Sequence, residues 1–496
     1  MVGVPGRSKA CSTCRRRKKG CDSKRPACTQ CLKAELECGG YEREMVFLNH
    51  TKGAKLRDLP VYRRGLGHTS GGVTDVVLPN GLAQTAYVEK YISIFLNKYL
   101  PAGRAPTADR LGPSRDWIEI AHELYTSDQG IQFALLSLGL FAAGESQYAI
   151  QSHCHALRKL QTALCIPSRV QNDSTLVACQ LLGLVEVFHG ADGNADGNEL
   201  LQASRWHSHL SGLLALICSR SPDAYQSGAG HQLFTYGRYI LLVWALKDRQ
   251  RFALNTPKWR TIPWEKEPKS YMDKLHDIMA DLAEILVDTD EMRYCDDPVQ
   301  KADMRRRVLV SCQCLDKSLQ DWLEEAGPLA SFHDDNGRLI EPPGPSHLLL
   351  AHMTLWYWTI YVILYSTIIS IHEPPLTEIP ADIDPKPYIQ SVANALPYFW
   401  RPGARLCGAN MASSLWGFCL HITYASPHRY AAEIAQLEQF ALQKNLASSV
   451  MQFLSSLHRA TGGPLLANIS GRKGMILRAQ SWMMGNVSSI DQFPRR

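Results

Sequence analysis

The feature that most constrains this chain is a six-cysteine array, Cys11, Cys14, Cys21, Cys28, Cys31 and Cys38, spaced C-x2-C-x6-C-x6-C-x2-C-x6-C. Each half reads C-x2-C-x6-C, so the array is an internal repeat joined by the loop Asp22–Ala27. A C-x2-C pair presents two thiolates to one metal, and tetrahedral Zn2+ takes four sulfurs at about 2.3 Å. Six sulfurs cannot fill two separate four-sulfur shells. They suffice when two thiolates each bridge both ions. The repeat makes the first cysteine of each half, Cys11 and Cys28, the expected bridge. The reading is two Zn2+ ions in a binuclear thiolate cluster.

Charge tells the halves apart. Cys14 to Cys21 encloses Arg15, Arg16, Arg17, Lys18, Lys19 and Gly20, whereas Cys31 to Cys38 encloses Leu32, Lys33, Ala34, Glu35, Leu36 and Glu37. A short metal-braced helix of arginines and lysines suits a phosphate backbone and the acceptor edge of guanine. Arg15, Arg16, Arg17, Lys18 and Lys19 are therefore the candidate DNA contacts, and double-stranded DNA is the expected partner. The chain has 496 residues and a net charge of +6. Residues 1–43 hold eleven Lys/Arg against four Asp/Glu, a surplus of seven, so the remainder sums to about −1. The basicity is local, as for one nucleic-acid module on a near-neutral body. Arg7 and Lys9 with the run 15–19 also suit a nuclear import signal, which makes the nucleus the expected location.

On these residues the N-terminus resembles the fungal Zn2Cys6 binuclear-cluster family of transcription factors. The likeness covers about residues 8–43 and rests on the six cysteines, the basic run and Pro26. It implies bridging by the first and fourth cysteines, in agreement with the repeat. It also implies a first helix set in the major groove over a CGG triplet, with the lysine at the Lys18 position reading guanines. Gly20 departs from the pattern, standing where many members carry another lysine. A different use of the same module is a zinc-dependent adaptor that holds an acidic protein partner without base preference. A disulfide framework is disfavoured, because no leader with an apolar core precedes the cysteines.

Residues 44–81 hold no sustained apolar heptad and contain Pro60 and Pro79. They read as a flexible linker, which leaves dimerisation open. From about residue 82 the pattern is helical. Val88, Tyr91, Ile92, Phe95, Leu96 and Tyr99 recur at i, i+3, i+4, i+7 spacing. Helices are expected within Ile131–Ala143, Tyr148–Cys165, Leu176–Phe188, Leu200–Cys218, Phe234–Leu246, Met272–Leu286, Met304–Leu323 and His347–Ile371. Later ones fall within Ile389–Phe399, Ser413–Ile422, Ala431–Leu442 and Ala447–Leu457. The predicted fold is a small zinc-cluster module followed by a large all-α domain over residues 82–490. Asn172–Thr175, Glu186–Gly190, Trp206–Gly212 and Gly230–Phe234 make residues 85–255 similar to the fungus-specific regulatory domain that accompanies such clusters. That likeness implies regulation through transcription machinery or a small-molecule effector, and no catalytic chemistry.

Other patterns carry less. Asp192–Gly197 opens like an EF-hand loop, but position twelve is Ala203 where a bidentate glutamate is needed. Thr354–Ile371 is uncharged over a length that could span a membrane, yet its Thr, Tyr and Ser content reads as a buried helix, and no membrane partner is expected. His207 and His209, two apart, point to different faces of a helix and read as packing beside Trp206. The nine remaining cysteines, Cys312 and Cys314 among them, read as buried small hydrophobes. No nucleophile elbow, Walker loop or dinucleotide fingerprint is present, so no enzyme is expected.

Overall fold

The computed structural model describes residues 10–11, 13–14, 17–24, 27–34, 36, 38, 80–103, 117–189, 199–374 and 378–441. The chain divides into two units, one within residues 1–77 and one within 78–496.

In the first unit, helical backbone at Thr13–Cys14 and a helix α1 (Thr29–Lys33) frame the cysteines. No aliphatic core is present among the described residues. The buried cluster is Cys11, Cys14, Cys28 and Cys31, with Ala10, Cys21 and Cys38 against it, while Leu32 and Leu36 are exposed. A module of this size without a packed core needs another source of cohesion, and metal binding supplies it.

The second unit is helical, with no strand among the described residues beyond an isolated bridge between His333 and Leu339. Its helices are α2 (Asn80–Tyr99), α3 (Trp117–Leu124), α4 (Gln129–Ala142), α5 (Ser146–Leu164), α6 (Pro167–Val170), α7 (Asp173–His189), α8 (Glu199–Cys218) and α9 (Gly228–Asp248). They continue as α10 (Pro257–Thr261), α11 (Tyr271–Arg293), α12 (Pro298–Ala326), α13 (Pro345–Ile371), α14 (Lys386–Ala395), α15 (Arg405–Tyr424) and α16 (Ala431–Ala441). Local chemistry sets many of the ends. Asp128 caps α4 by accepting the Gly130 and Ile131 amides, and Ser270 with Asp273 forms a capping box on α11. Asp297 caps α12 with Pro298 in its first turn, and Gly327, at φ 84°, ends it.

One continuous core joins these helices. The stripe read from α2 is buried at Val88, Ile92, Phe95 and Tyr99 and half-buried at Tyr91 and Leu96. Helix α4 approaches α2 so closely that a Cβ on Gly139 would stand 2.1 Å from the Tyr91 carbonyl oxygen. Helix α13 is the central member. It is the one described helix long and apolar enough to cross a membrane, and 83% of its most apolar window is buried inside the protein, against α11, α12, α14 and α15.

Several sequence expectations are adjusted. The segment Ile389–Phe399 is a helix only to Ala395, after which Pro397 sits in a 3-10 turn over Leu396–Trp400. Helix α3, eight residues long, was too short for periodicity to show. Cys179, Cys312, Cys407 and Cys419 are buried as expected, but Cys154, Cys165, Cys218 and Cys314 are exposed. In α5, for instance, Ala149, Ala156 and Leu160 face inward, which turns Cys154 to solvent. The linker through residue 79, the loop Asp192–Gly197 and the helix expected at Ala447–Leu457 lie outside the described residues.

Candidate metal centre and nucleic-acid interface

The repeat in the sequence is a repeat in the hydrogen bonding. The Cys14 amide donates to Cys11 Sγ at 3.3 Å, and seventeen residues on the Cys31 amide donates to Cys28 Sγ at 3.4 Å. Lys19 N–H reaches the Cys14 carbonyl at 3.0 Å, and Leu36 N–H reaches that of Cys31 at 3.0 Å. Each C-x2-C therefore lies on a short helical turn that aims both sulfurs inward. Asp22 clasps the connecting loop to α1, accepting the Thr29 amide at 3.1 Å and the Thr29 hydroxyl at 2.5 Å. The Thr29 hydroxyl is the chief reason the Asp22 carboxyl sits below the usual range.

The sulfurs meet in two sets of four, Cys11, Cys14, Cys21, Cys28 and Cys11, Cys28, Cys31, Cys38, each within 4.8 Å. Both sets contain Cys11 and Cys28. Cys11–Cys28, Cys11–Cys31 and Cys14–Cys28 are separated by 3.7, 3.7 and 3.5 Å. A tetrahedron with Zn–S of about 2.3 Å has edges of about 3.8 Å, so these separations fit zinc. They are far beyond the roughly 2.05 Å of a disulfide, and all six cysteines are free. Burial pushes the Cys14 thiol up, and burial with the Cys28 contact pushes Cys31 to about 12. Thiolates crowded this way need a cation, and the donor set is the one Zn2+ prefers. Among the described residues no other cluster of His, Cys, Asp or Glu has such geometry. His207 instead lies 3.5 Å from Asp248 and beside Trp206, consistent with packing.

Residues 9–45 match the fungal Zn(2)-Cys(6) binuclear cluster domain, and residues 90–245 match the fungal specific transcription factor domain. The chain thus carries a fungal Zn2Cys6 cluster domain and a fungal specific transcription factor domain. A curated relative, an uncharacterised transcriptional regulatory protein of Saccharomyces cerevisiae, is 61% identical over 33 residues, 7% of this chain and 2% of that protein. The chain thus spans a small fraction of that relative's length. No solved structure matches. As in the family name, the module is a binuclear cluster of two zinc ions on six cysteines.

In this zinc-cluster protein, Arg17, Lys18 and Lys19 are exposed beside the cluster, and none pairs with a carboxylate among the described residues. Arg15 and Arg16 lie outside them. A helix through the whole basic run is not what forms. Arg17 and Lys18 make the closing turn, with Lys18 at φ 52°. Holding a lysine in the left-handed region costs about 1–2 kcal/mol. Neither this turn nor the Asp22–Thr29 clasp was read from the sequence, although the Lys19–Gly20 end of the run is a helix-stop signal.

Proposed function

We propose that this chain is a sequence-specific DNA-binding regulator of RNA polymerase II transcription that acts in the nucleus. The observation that carries the reading is the pair of sulfur tetrads sharing Cys11 and Cys28, with exposed Arg17, Lys18 and Lys19 next to them in the chain. Cys11 and Cys28 would bridge, Cys14 and Cys21 would complete one shell, and Cys31 and Cys38 the other. Zinc would supply the cohesion this unit lacks, with an apparent binding energy on the order of 10–16 kcal/mol per structural site. Lys18, helped by Lys19, would read base edges of a CGG-like triplet in the major groove. Arg15, Arg16 and Arg17 would hold phosphates and set register. The helical body would regulate this reader through transcription machinery or an effector.

Exposed Leu32 and Leu36, at 64% and 43%, favour a second reading in which the other half of the module meets a protein. Selection from randomised duplex DNA with the zinc-loaded full chain at fixed salt separates the two. A recovered CGG-like triplet, single or in spaced pairs, supports the reader and reports monomeric or dimeric recognition. Polyanion binding with no enriched sequence would hand the module to the adaptor.

A further inference from the structure

Two hydrogen bonds close the loop between the halves of the metal module. Asp22, the residue after Cys21, accepts the Thr29 amide at 3.1 Å with one carboxylate oxygen and the Thr29 hydroxyl at 2.5 Å with the other. Thr29 is in turn the residue after Cys28. The clasp therefore joins the neighbours of two cysteines that belong to one sulfur set, Cys11, Cys14, Cys21 and Cys28. The loop it closes turns at Ser23, whose φ of 57° lies in the left-handed region that residues with a side chain seldom adopt.

The other members of that set are tied without metal as well. The Cys14 amide donates to Cys11 Sγ at 3.3 Å, and the Cys11 amide donates to Cys21 Sγ at 3.4 Å. Cys14, Cys11 and Cys21 form a bonded chain, and Asp22 with Thr29 carries it on to Cys28.

The seventeen-residue repeat cannot make this clasp twice. It sets Gly39 where Asp22 stands and Ser12 where Thr29 stands, and glycine has no side chain to accept a hydroxyl. The six residues between Cys21 and Cys28 must fold back for both sulfurs to reach one ion. A loop free to open loses entropy when metal closes it, and closing it beforehand removes that cost. The second set shares Cys28 but lacks Cys21, so the clasp bears on one shell.

We infer that Asp22 is a positioning residue for the zinc shell of Cys11, Cys14, Cys21 and Cys28: acting through Thr29, it holds Cys21 and Cys28 within reach of one ion before that ion arrives. The inference rests on the reading of the two sulfur sets as zinc shells. Because Asp22 acts through Thr29, its effect follows the two hydrogen bonds and not the carboxylate charge. The clasp is exposed, so water competes for both groups, and its loss weakens the shell rather than abolishing it.

The test is zinc competition with the chelator 4-(2-pyridylazo)resorcinol on the full chain, with native mass spectrometry counting the ions retained. The unaltered chain should hold two. Asp22→Ala should hold one of them as before and the other about tenfold more weakly. Thr29→Val keeps the amide donor and should fall between. Asp22→Asn keeps an oxygen for the amide and offers its NH2 to the hydroxyl oxygen, so it should recover most of the loss. Two backgrounds locate the effect. With Cys38→Ser, which leaves the Cys21 shell complete, Asp22→Ala should weaken the remaining ion about tenfold. With Cys14→Ser, which leaves the other shell complete, it should change nothing. Equal weakening in both backgrounds would show a general loosening of the module and overturn the positioning role. So would an Asp22→Ala chain that holds both ions as the unaltered chain does, or an Asp22→Asn chain that behaves like Asp22→Ala. The six-cysteine variants decide alone if a background variant retains no ion. An unaltered chain that takes up fewer than two ions would overturn the zinc reading, and this inference with it.

Discussion

Cys11 Sγ and Cys28 Sγ stand 3.7 Å apart and are the two sulfurs common to both four-cysteine sets. Their sharing makes the cysteines unequal. Cys28→Ser takes a donor from both shells, so zinc content should fall from two ions per chain to below about one, and the unit should lose its helical turns. Cys38→Ser touches one shell, and about one ion should remain. Native mass spectrometry of the two variants reads the difference directly. Equal zinc loss from both would remove the distinction between bridging and terminal cysteines.

Lys18 and Arg16 should fail in different ways. Lys18→Ala should relax base preference, at a cost of about 1–3 kcal/mol on the preferred triplet. Arg16→Ala should weaken binding to all sequences alike and reduce the slope of log K against log salt by about 1. Lys18→Gly is the control for the φ 52° backbone. It loses the ammonium yet relieves left-handed strain, so it should bind like Lys18→Ala while melting higher. Titrations at several salt concentrations on matched and scrambled duplexes check all three, and loss of discrimination in both Lys18→Ala and Arg16→Ala would sink the division of labour.

What could be read from sequence was what depends on spacing. Cysteine spacing alone puts Cys11 and Cys28 at the centre of the cluster, because a seventeen-residue repeat fixes which sulfurs are equivalent. The helical body was legible where an apolar stripe ran three or more turns, as from Val88 to Tyr99. Contacts between distant residues were not. The Gly139–Tyr91 approach and the Asp22–Thr29 clasp each depend on how separate segments dock, which no local pattern records. The acidic stretch from Asp281 to Asp297 is a case in point. In the fold, Asp281 pairs with Arg260, Asp290 with Arg249, and Glu284, Asp288 and Glu291 with Arg251. Its charge is largely spent on helix docking.

The same docking seam buries Arg238, whose side chain is 0% exposed and whose ionic partner is Asp277 at 2.5 Å. Its Nε and Nη1 have no partner, so Asp277 compensates the charge almost alone, with a cation–π contact to Trp264 at 5.1 Å. Asp277→Ala leaves a buried guanidinium unpaired and should cost about 3–5 kcal/mol. Asp277→Asn keeps an acceptor and should cost less. Urea unfolding of the helical unit within the full chain measures both, and a loss below about 1 kcal/mol for the alanine variant would show the charge to be solvated by another route.

Buried histidines make the helical unit acid-sensitive. His352 Nε2 accepts the Trp356 indole N–H at 3.1 Å, which requires the unprotonated ring, and burial lowers its pKa to about 3. Burial likewise lowers His209 to about 4, only partly opposed by Glu186. In the unfolded chain both return to about 6.5. Above that pH neither state holds the proton, and stability is unaffected. Below it the unfolded chain binds protons that the folded chain refuses, so stability falls with pH. The fall begins near 6.5 and levels near 4 for His209 and near 3 for His352, with a slope of up to about 1.4 kcal/mol per pH unit for each. Urea midpoints should therefore be flat from pH 8 to 7 and decline steadily from 6.5 to 5. His209→Gln, which does not titrate, should remove about half of the decline these two residues cause. An acid limb as steep as in the unaltered chain would show that His209 is not one of the residues responsible.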